Sequence, residues 1–365
     1  MGADRTAPAR PHAPRKAAKK RSSRRGSGQR LIDLALQGGG AHGAYTWGVL
    51  DRLLEEPDLR IEGISGTSAG AMNAAVLASG YANGGGAKGA KTALETFWRR
   101  IAWAAQFSPF RRTPLDIALG RWSLDNSPTY IAYDLTSRLF SPYDLNPQGS
   151  NPLRDILAES VDFARLPSSP IRLFVTATNV RTGRGRVFRN ADLSPDVLLA
   201  SACLPTLFQA VTIGNEAYWD GGYSGNPTIT PLVRECACSD TLLVQVNPVE
   251  RPGTPRAARE ISDRLNEVSF NSPLLKELRM IAVLRQVSDP GHCEGARWAA
   301  MRIHRISSPL MAELGASSKL NGEWDFLSLL HAEGRRCATA FLEAHGADIG
   351  CRSTLDLDAF LDDAA

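Results

Sequence analysis

Residues 31–50 read LIDLALQGGGAHGAYTWGVL. A short apolar run, Leu31 to Leu36, gives way to three glycines; Tyr45, Val49, Leu50, Leu53 and Leu54 then recur at helical spacing over 44–55. A brief apolar run bounded by glycine suits a buried strand, and the repeat suits a helix with one apolar face. The pattern returns at once. Arg60–Ser65 (RIEGIS) predicts a second strand and Ala69–Ser79 (AGAMNAAVLAS) a second helix, with Gly66-Thr67-Ser68 at the turn between them. Strand, glycine turn, helix, strand, tight turn, helix is the alternation of a parallel sheet with helices on its faces, so the fold class is α/β.

Further along, 83–89 (NGGGAKG) predicts a flexible loop and 92–105 a helix. The stretch 106–127 mixes Phe107, Phe110, Leu115, Ile117, Leu119 and Trp122 with three arginines and two prolines, and it breaks the alternation. Strands are expected at 171–180, with a hairpin partner at 185–190, and at 216–219, 241–246 and 299–306. Helices are expected at 195–202, 261–286 and 324–344, and a proline-rich turn at 249–256. No internal repeat is found. The expected division is a disordered basic tail over 1–30, one α/β domain over 31–310 and a helical extension over 311–365.

Composition bounds the chemistry. Of 365 residues 43% are hydrophobic, but no apolar run approaches the roughly 20 residues that span a bilayer. The N-terminus lacks the apolar core of a secretory signal. Six cysteines are too sparse for a disulfide scaffold, and Cys236-Ala-Cys238 has neither the spacing nor the neighbours of a metal or redox pair. Together these favour a cytoplasmic protein. The formal charge of +4 hides an asymmetry: residues 1–30 hold ten Lys/Arg and one acid, leaving 32 basic and 37 acidic residues in the rest. The tail reads as a solvated extension or as a tether to anionic membrane. No nucleic-acid motif accompanies it.

Gly38, Gly40 and Gly43 spell G-x-G-x-x-G, the dinucleotide fingerprint. That reading needs an acid ending the second strand to bind a ribose. The second strand runs instead into Gly66-Thr67-Ser68-Ala69-Gly70, a G-x-S-x-G between strand and helix. Such a turn holds a serine hydroxyl proud of the sheet, and side chains at Gly66 and Gly70 would clash. The helix after it points free N–H groups at the same place. Gly38, Gly39 and Gly40 end the preceding strand, so their N–H groups can meet the negative charge that develops when Ser68 attacks a carbonyl.

A serine needs a base. The order serine, acid, histidine of a triad esterase is formally available through Asp220 and then His292 or His304, but His304 lies in a predicted strand and His292 in a loop. His42 sits inside the glycine loop, where it could line the site. A carboxylate can serve as base without a histidine. Asp220, in YWDGGYSGNP, follows a short strand and precedes Gly221 and Gly222, which let it approach other backbone closely.

GGGAHG at 38–43, GTSAG at 66–70 and DGG at 220–222, with NPLRDIL at 151–157 and ASACLPTLFQAV at 200–211, together resemble the patatin-like phospholipases over roughly residues 31–235. The resemblance implies a three-layer α/β/α fold with a mainly parallel central sheet. It implies a Ser68–Asp220 dyad, an oxyanion loop at Gly38, Gly39 and Gly40, an acyl-enzyme, and no metal or other cofactor. The substrate would be a phospholipid or lysophospholipid, and 106–127 would be either a cover touching membrane or a loop packed on the core. A Ser-Asp-His carboxylesterase, or a non-catalytic nucleotide- or lipid-binding module, are the competing readings.

Overall fold

The structure, a computed structural model, describes residues 29–287 and 294–362. The basic tail expected over 1–30 and His292 therefore lie outside the described residues, apart from Gln29 and Arg30. Eight strands form one sheet: β1 (Arg30–Leu36), β2 (Leu59–Gly66), β3 (Arg172–Asn179), β4 (Gly185–Arg189), β5 (Val211–Ile213), β6 (Glu216–Asp220), β7 (Asp240–Val244) and β8 (Arg302–Ile306). Their order is β5-β6-β3-β2-β1-β7-β8, with β4 also on β3. The run β3-β2-β1-β7-β8 is parallel. β4 and β6 join β3 antiparallel, and β5 joins β6 in the same sense.

Side chains alternate across the sheet and build a core on each face. Ile32, Leu34 and Leu36 of β1 join the larger core, beneath α1 (Gly43–Leu53), α2 (Ala69–Gly80), α3 (Gly86–Ala105) and the helix Trp324–His345. Ala35 faces the other way, with Phe174, Leu243 and Ile303, against the helices Thr230–Glu235, Ala258–Gln286 and Glu294–Ala299. The architecture is thus helix, mainly parallel sheet, helix.

Two local expectations are corrected. The loop at 83–89 is mostly absent: a tight turn over Tyr81–Gly85 leads directly into α3, which already includes Gly86–Gly89. Of its glycines, Gly84 and Gly86 take φ +87° and +52° and make the turn, while Gly89 packs against the Gly80 carbonyl, which a Cβ there would strike. The last strand starts at Arg302 rather than 299, because the apolar Ala299 closes the helix Glu294–Ala299. Among the described residues, no helix is long and apolar enough to cross a membrane.

Candidate active site

The parallel strands β1 and β2 end side by side, Leu36 opposite Gly66. Ser68 follows as the N-cap of α2 with φ +54°, and it is the one non-glycine residue with positive φ among the described residues. Close packing enforces the turn. A Cβ on Gly66 would sit 2.7 Å from the Gly70 carbonyl, and one on Gly70 would strike the Leu36 carbonyl. The backbone N–H of Ser68 donates to Ser201 Oγ at 2.9 Å, and Ser201 donates in turn to the Thr176 carbonyl at 2.7 Å. Thr67 donates its hydroxyl to the Gly225 carbonyl at 2.6 Å, which ties this turn to the loop after β6.

Asp220 is the last residue of β6, opposite Ala177 of β3. Its N–H donates to the Cys203 carbonyl at 2.8 Å, and its carboxylate accepts from Gly222 N–H at 2.7 Å. Gly221 and Gly222 have no room for side chains, against Thr176 and the Phe270 ring respectively. Ser68 and Asp220 are 9% and 1% exposed. Burial pushes the Asp220 carboxyl up to about 7, opposed by the Gly222 N–H, by the neighbouring Ser68 hydroxyl and by the positive charge of Lys319. A serine hydroxyl beside a carboxylate that titrates near neutrality has the makings of a nucleophile and its base.

The glycine loop lies against this pair. A Cβ on Gly38 would be 2.7 Å from Ser68 Cβ, and one on Gly43 equally close to Ala69 Cβ. The three glycines differ in what their N–H groups can do. Gly38 N–H is spent on Asn226 Oδ1 at 2.7 Å, which corrects the expectation that it is an oxyanion donor. Gly38 gives close approach instead. The N–H groups of Gly39 and Gly40 have no acceptor among the described residues and remain available to a ligand. Gly40 takes φ +57°, and a side chain there would run into the Lys319 carbonyl.

A buried amide network holds the loop from behind. Gln37 Oε1 accepts from the N–H groups of Val246 and Asn247 at 3.0 and 2.9 Å. Gln37 Nε2 donates to Asn271 Oδ1 at 3.2 Å. Asn247 Nδ2 donates to the Gly38 carbonyl at 2.7 Å, and Lys319 Nζ donates to Asn247 Oδ1 at 2.8 Å. Sequence reasoning missed Ser201, Asn226, Asn247 and Lys319. Asn226 and Asn247 each precede a proline just beyond a strand, a usable turn signal. Lys319 carried none.

The histidines play other parts. His304 is fully buried on β8, its two ring nitrogens 3.1 Å from Asp240 and from Thr354. His42 Nε2 pairs with Ser318 Oγ at 2.7 Å, and burial keeps its pKa well below the usual value, so it is neutral. Neither bonds to Ser68 or Asp220. Among the described residues no cluster of His, Cys, Asp or Glu has the makings of a metal site; Cys236 and Cys238 are buried free thiols.

The stretch 106–127 is pinned on its inner side and apolar on its outer side. Arg112 pairs with Glu323, Trp122 stacks on Phe326 and Leu124 is fully buried. Phe107, Leu115, Ile117 and Leu119 are exposed, and exposed apolar residues continue through Ile131, Leu135, Leu139, Phe140, Tyr143 and Leu145.

The family model for the patatin-like phospholipases matches residues 34–233, more than half of the chain. No curated protein sequence matches. Among solved structures, VipD from Legionella pneumophila is 16% identical, with 92% of this chain and 79% of that one covered, at a TM-score of 0.35. The type III effector protein ExoU is 17% identical over 87% of this chain and 53% of its own, at 0.31. A heterodimeric ExoU–SpcU complex from Pseudomonas aeruginosa gives 19% identity over 92% and 66%, at 0.28.

Proposed function

Since the chain belongs to the patatin-like phospholipase family, a family of lipid acyl hydrolases, we propose that it cleaves carboxylic esters of phospholipids or lysophospholipids through a Ser68–Asp220 dyad. The observation that carries this reading is the placement of Ser68, on its strained turn at φ +54°, beside a buried Asp220 carboxyl that burial pushes up to about 7. Asp220 takes the hydroxyl proton as Ser68 Oγ attacks the ester carbonyl. The oxyanion forms against the free N–H groups of Gly39 and Gly40, each such donor contributing about 3 kcal/mol in the transition state. Protonated Asp220 gives its proton to the departing alcohol. It then takes one from a water that attacks the acyl-enzyme and returns it to Ser68 Oγ as the fatty acid leaves.

The substrate side of the proposal is a lipid surface. Eleven of the twenty exposed large apolar residues among those described fall between Trp103 and Leu145, a density expected of an interaction site rather than of ordinary surface. The enzyme would act from the cytoplasm as a peripheral protein, in line with its five described cysteines, all unpaired.

A fluorophosphonate probe and a mixed phospholipid panel analysed by mass spectrometry test the reading. Wild type is expected to label and to release fatty acid. Ser68→Ala is expected to lose the label and at least about a thousandfold in turnover with its melting temperature preserved. Full activity in Ser68→Ala would overturn it.

A further inference from the structure

Among the described residues Lys319 is the one cation whose charge reaches Asp220, and it comes from a part of the chain outside the three motifs. The short helical turn Ala316–Leu320 clamps the glycine loop at three points. The Lys319 carbonyl fills the space where a Gly40 side chain would stand. Ser318 Oγ pairs with His42 Nε2 at 2.7 Å. Lys319 Nζ holds Asn247 Oδ1 at 2.8 Å, and the same amide holds the Gly38 carbonyl at 2.7 Å.

The residue as a whole is half-buried, but its ammonium end is enclosed. An enclosed ammonium with a single side-chain hydrogen bond is costly to keep charged. Burial lowers its pKa, as does Arg251, while the negative charges of Glu267, Asp263 and Asp220 work the other way. We propose that Lys319 is a positioning residue of this site, its buried ammonium locking the glycine loop through Asn247 and supplying the positive charge that faces the ionised Asp220. This rests on the reading of Asp220 as the base.

Asp220 is faced by the Ser68 hydroxyl, by Lys319, and by the Cys203 and Tyr223 side chains, both of which are pushed toward their neutral forms. Lys319 is thus the group whose charge favours the carboxylate. Without it Asp220 should hold its proton to higher pH. The loop lock is a separate function, carried by the hydrogen bond rather than by the charge.

Two substitutions in the full chain separate these roles. Lys319→Gln keeps a donor for Asn247 Oδ1 and loses the charge; Lys319→Arg keeps the charge. The readouts are kcat/KM on a short soluble p-nitrophenyl ester from pH 5 to 9, the rate of fluorophosphonate labelling across the same range, and the melting temperature. Lys319→Gln should move the acid limb up by at least about half a pH unit and slow both reactions about fivefold or more at pH 6, with near wild-type rates recovered at pH 9. Lys319→Arg should leave the limb in place. Asn247→Ala, which cuts the tie to Gly38 and leaves the charge, should lower kcat without moving the limb. An unmoved limb in a folded Lys319→Gln chain would overturn the proposal, whatever its rate. Ser68→Ala, run in parallel, tests the underlying reading: if it labels and turns over like wild type, the dyad fails and this proposal with it.

Discussion

Ser68 holds a φ of +54°, which costs a non-glycine residue about 1–3 kcal/mol, and the surrounding hydrogen bonds from Ser68 N–H to Ser201 and from Thr67 to Gly225 over-determine that conformation. Asp220 carries a second local cost. Its carboxyl titrates near 7 because burial disfavours the charge, and a base must be ionised to act. On a short soluble ester, kcat/KM should therefore fall about tenfold per pH unit below pH 7; an acid limb near 4 would assign the base elsewhere. The same shift has a stability sign. A carboxyl whose folded pKa lies above its unfolded value binds its proton more tightly when folded, so its contribution declines as pH rises from about 4 to about 7. Asp220→Asn should abolish turnover and flatten the fall of melting temperature with pH across that window. Asp33, pushed up to about 8 by burial and by Glu62, leaves a residual slope in both proteins. An identical slope in the two would show that Asp220 is not buried and protonated as described.

Between the strands and the solvent, the segment from Trp103 to Leu145 has a pinned inner face and a greasy outer one. Placing one Leu or Phe side chain in a lipid phase contributes about 1.5–3 kcal/mol, so two such residues dominate a weak surface attachment. Leu139 and Phe140, 80% and 53% exposed, carry little folding energy. The double variant Leu139→Asp, Phe140→Asp should keep its melting temperature and its rate on a soluble ester. On mixed micelles or vesicles it should lose about fivefold or more, and equal loss on both substrates would remove the membrane role. The sequence made the apolar character of 106–127 visible, because composition needs no partner to be read. It did not reveal which residues point outward. That depends on Arg112 finding Glu323 and Trp122 finding Phe326, some 200 residues away. The elements around Ser68 were legible for the opposite reason: strand, turn and helix are adjacent in the chain, and Gly66 and Gly70 record the tight contact locally. Gly38 was misread as an oxyanion donor because its acceptor, Asn226, lies beyond β6.

Over the whole molecule, the site gathers at the carboxyl ends of the parallel strands, where α/β sheets place their ligands. β1 supplies the glycine loop, β2 the serine turn, β7 leads to Asn247, and the antiparallel β6 brings Asp220 alongside. The last fifth of the chain then closes the assembly. The turn Ala316–Leu320 clamps the glycine loop, and the helix Trp324–His345 buries Phe326, Leu327, Leu330 and Phe341 in the main core. Its contact with α1 is a backbone-to-backbone approach: Gly48 abuts the His331 carbonyl, and a Cβ on Gly334 would lie 2.9 Å from Val49 N and still closer to the Tyr45 carbonyl. An extension over 311–365 that could be removed freely would not need such fit. A chain ending at residue 310 is expected to lose the cooperative melt and the fluorophosphonate label together, since it exposes α1 and frees the loop. Gly334→Val, which must push this helix off α1 at that point, should cost at least about 1–3 kcal/mol and lower the melting temperature by several degrees while leaving the acid limb of the rate profile in place. A chain ending at 310 that melts cooperatively and still labels would make residues 31–310 the autonomous unit, and the clamp on the glycine loop would then be dispensable.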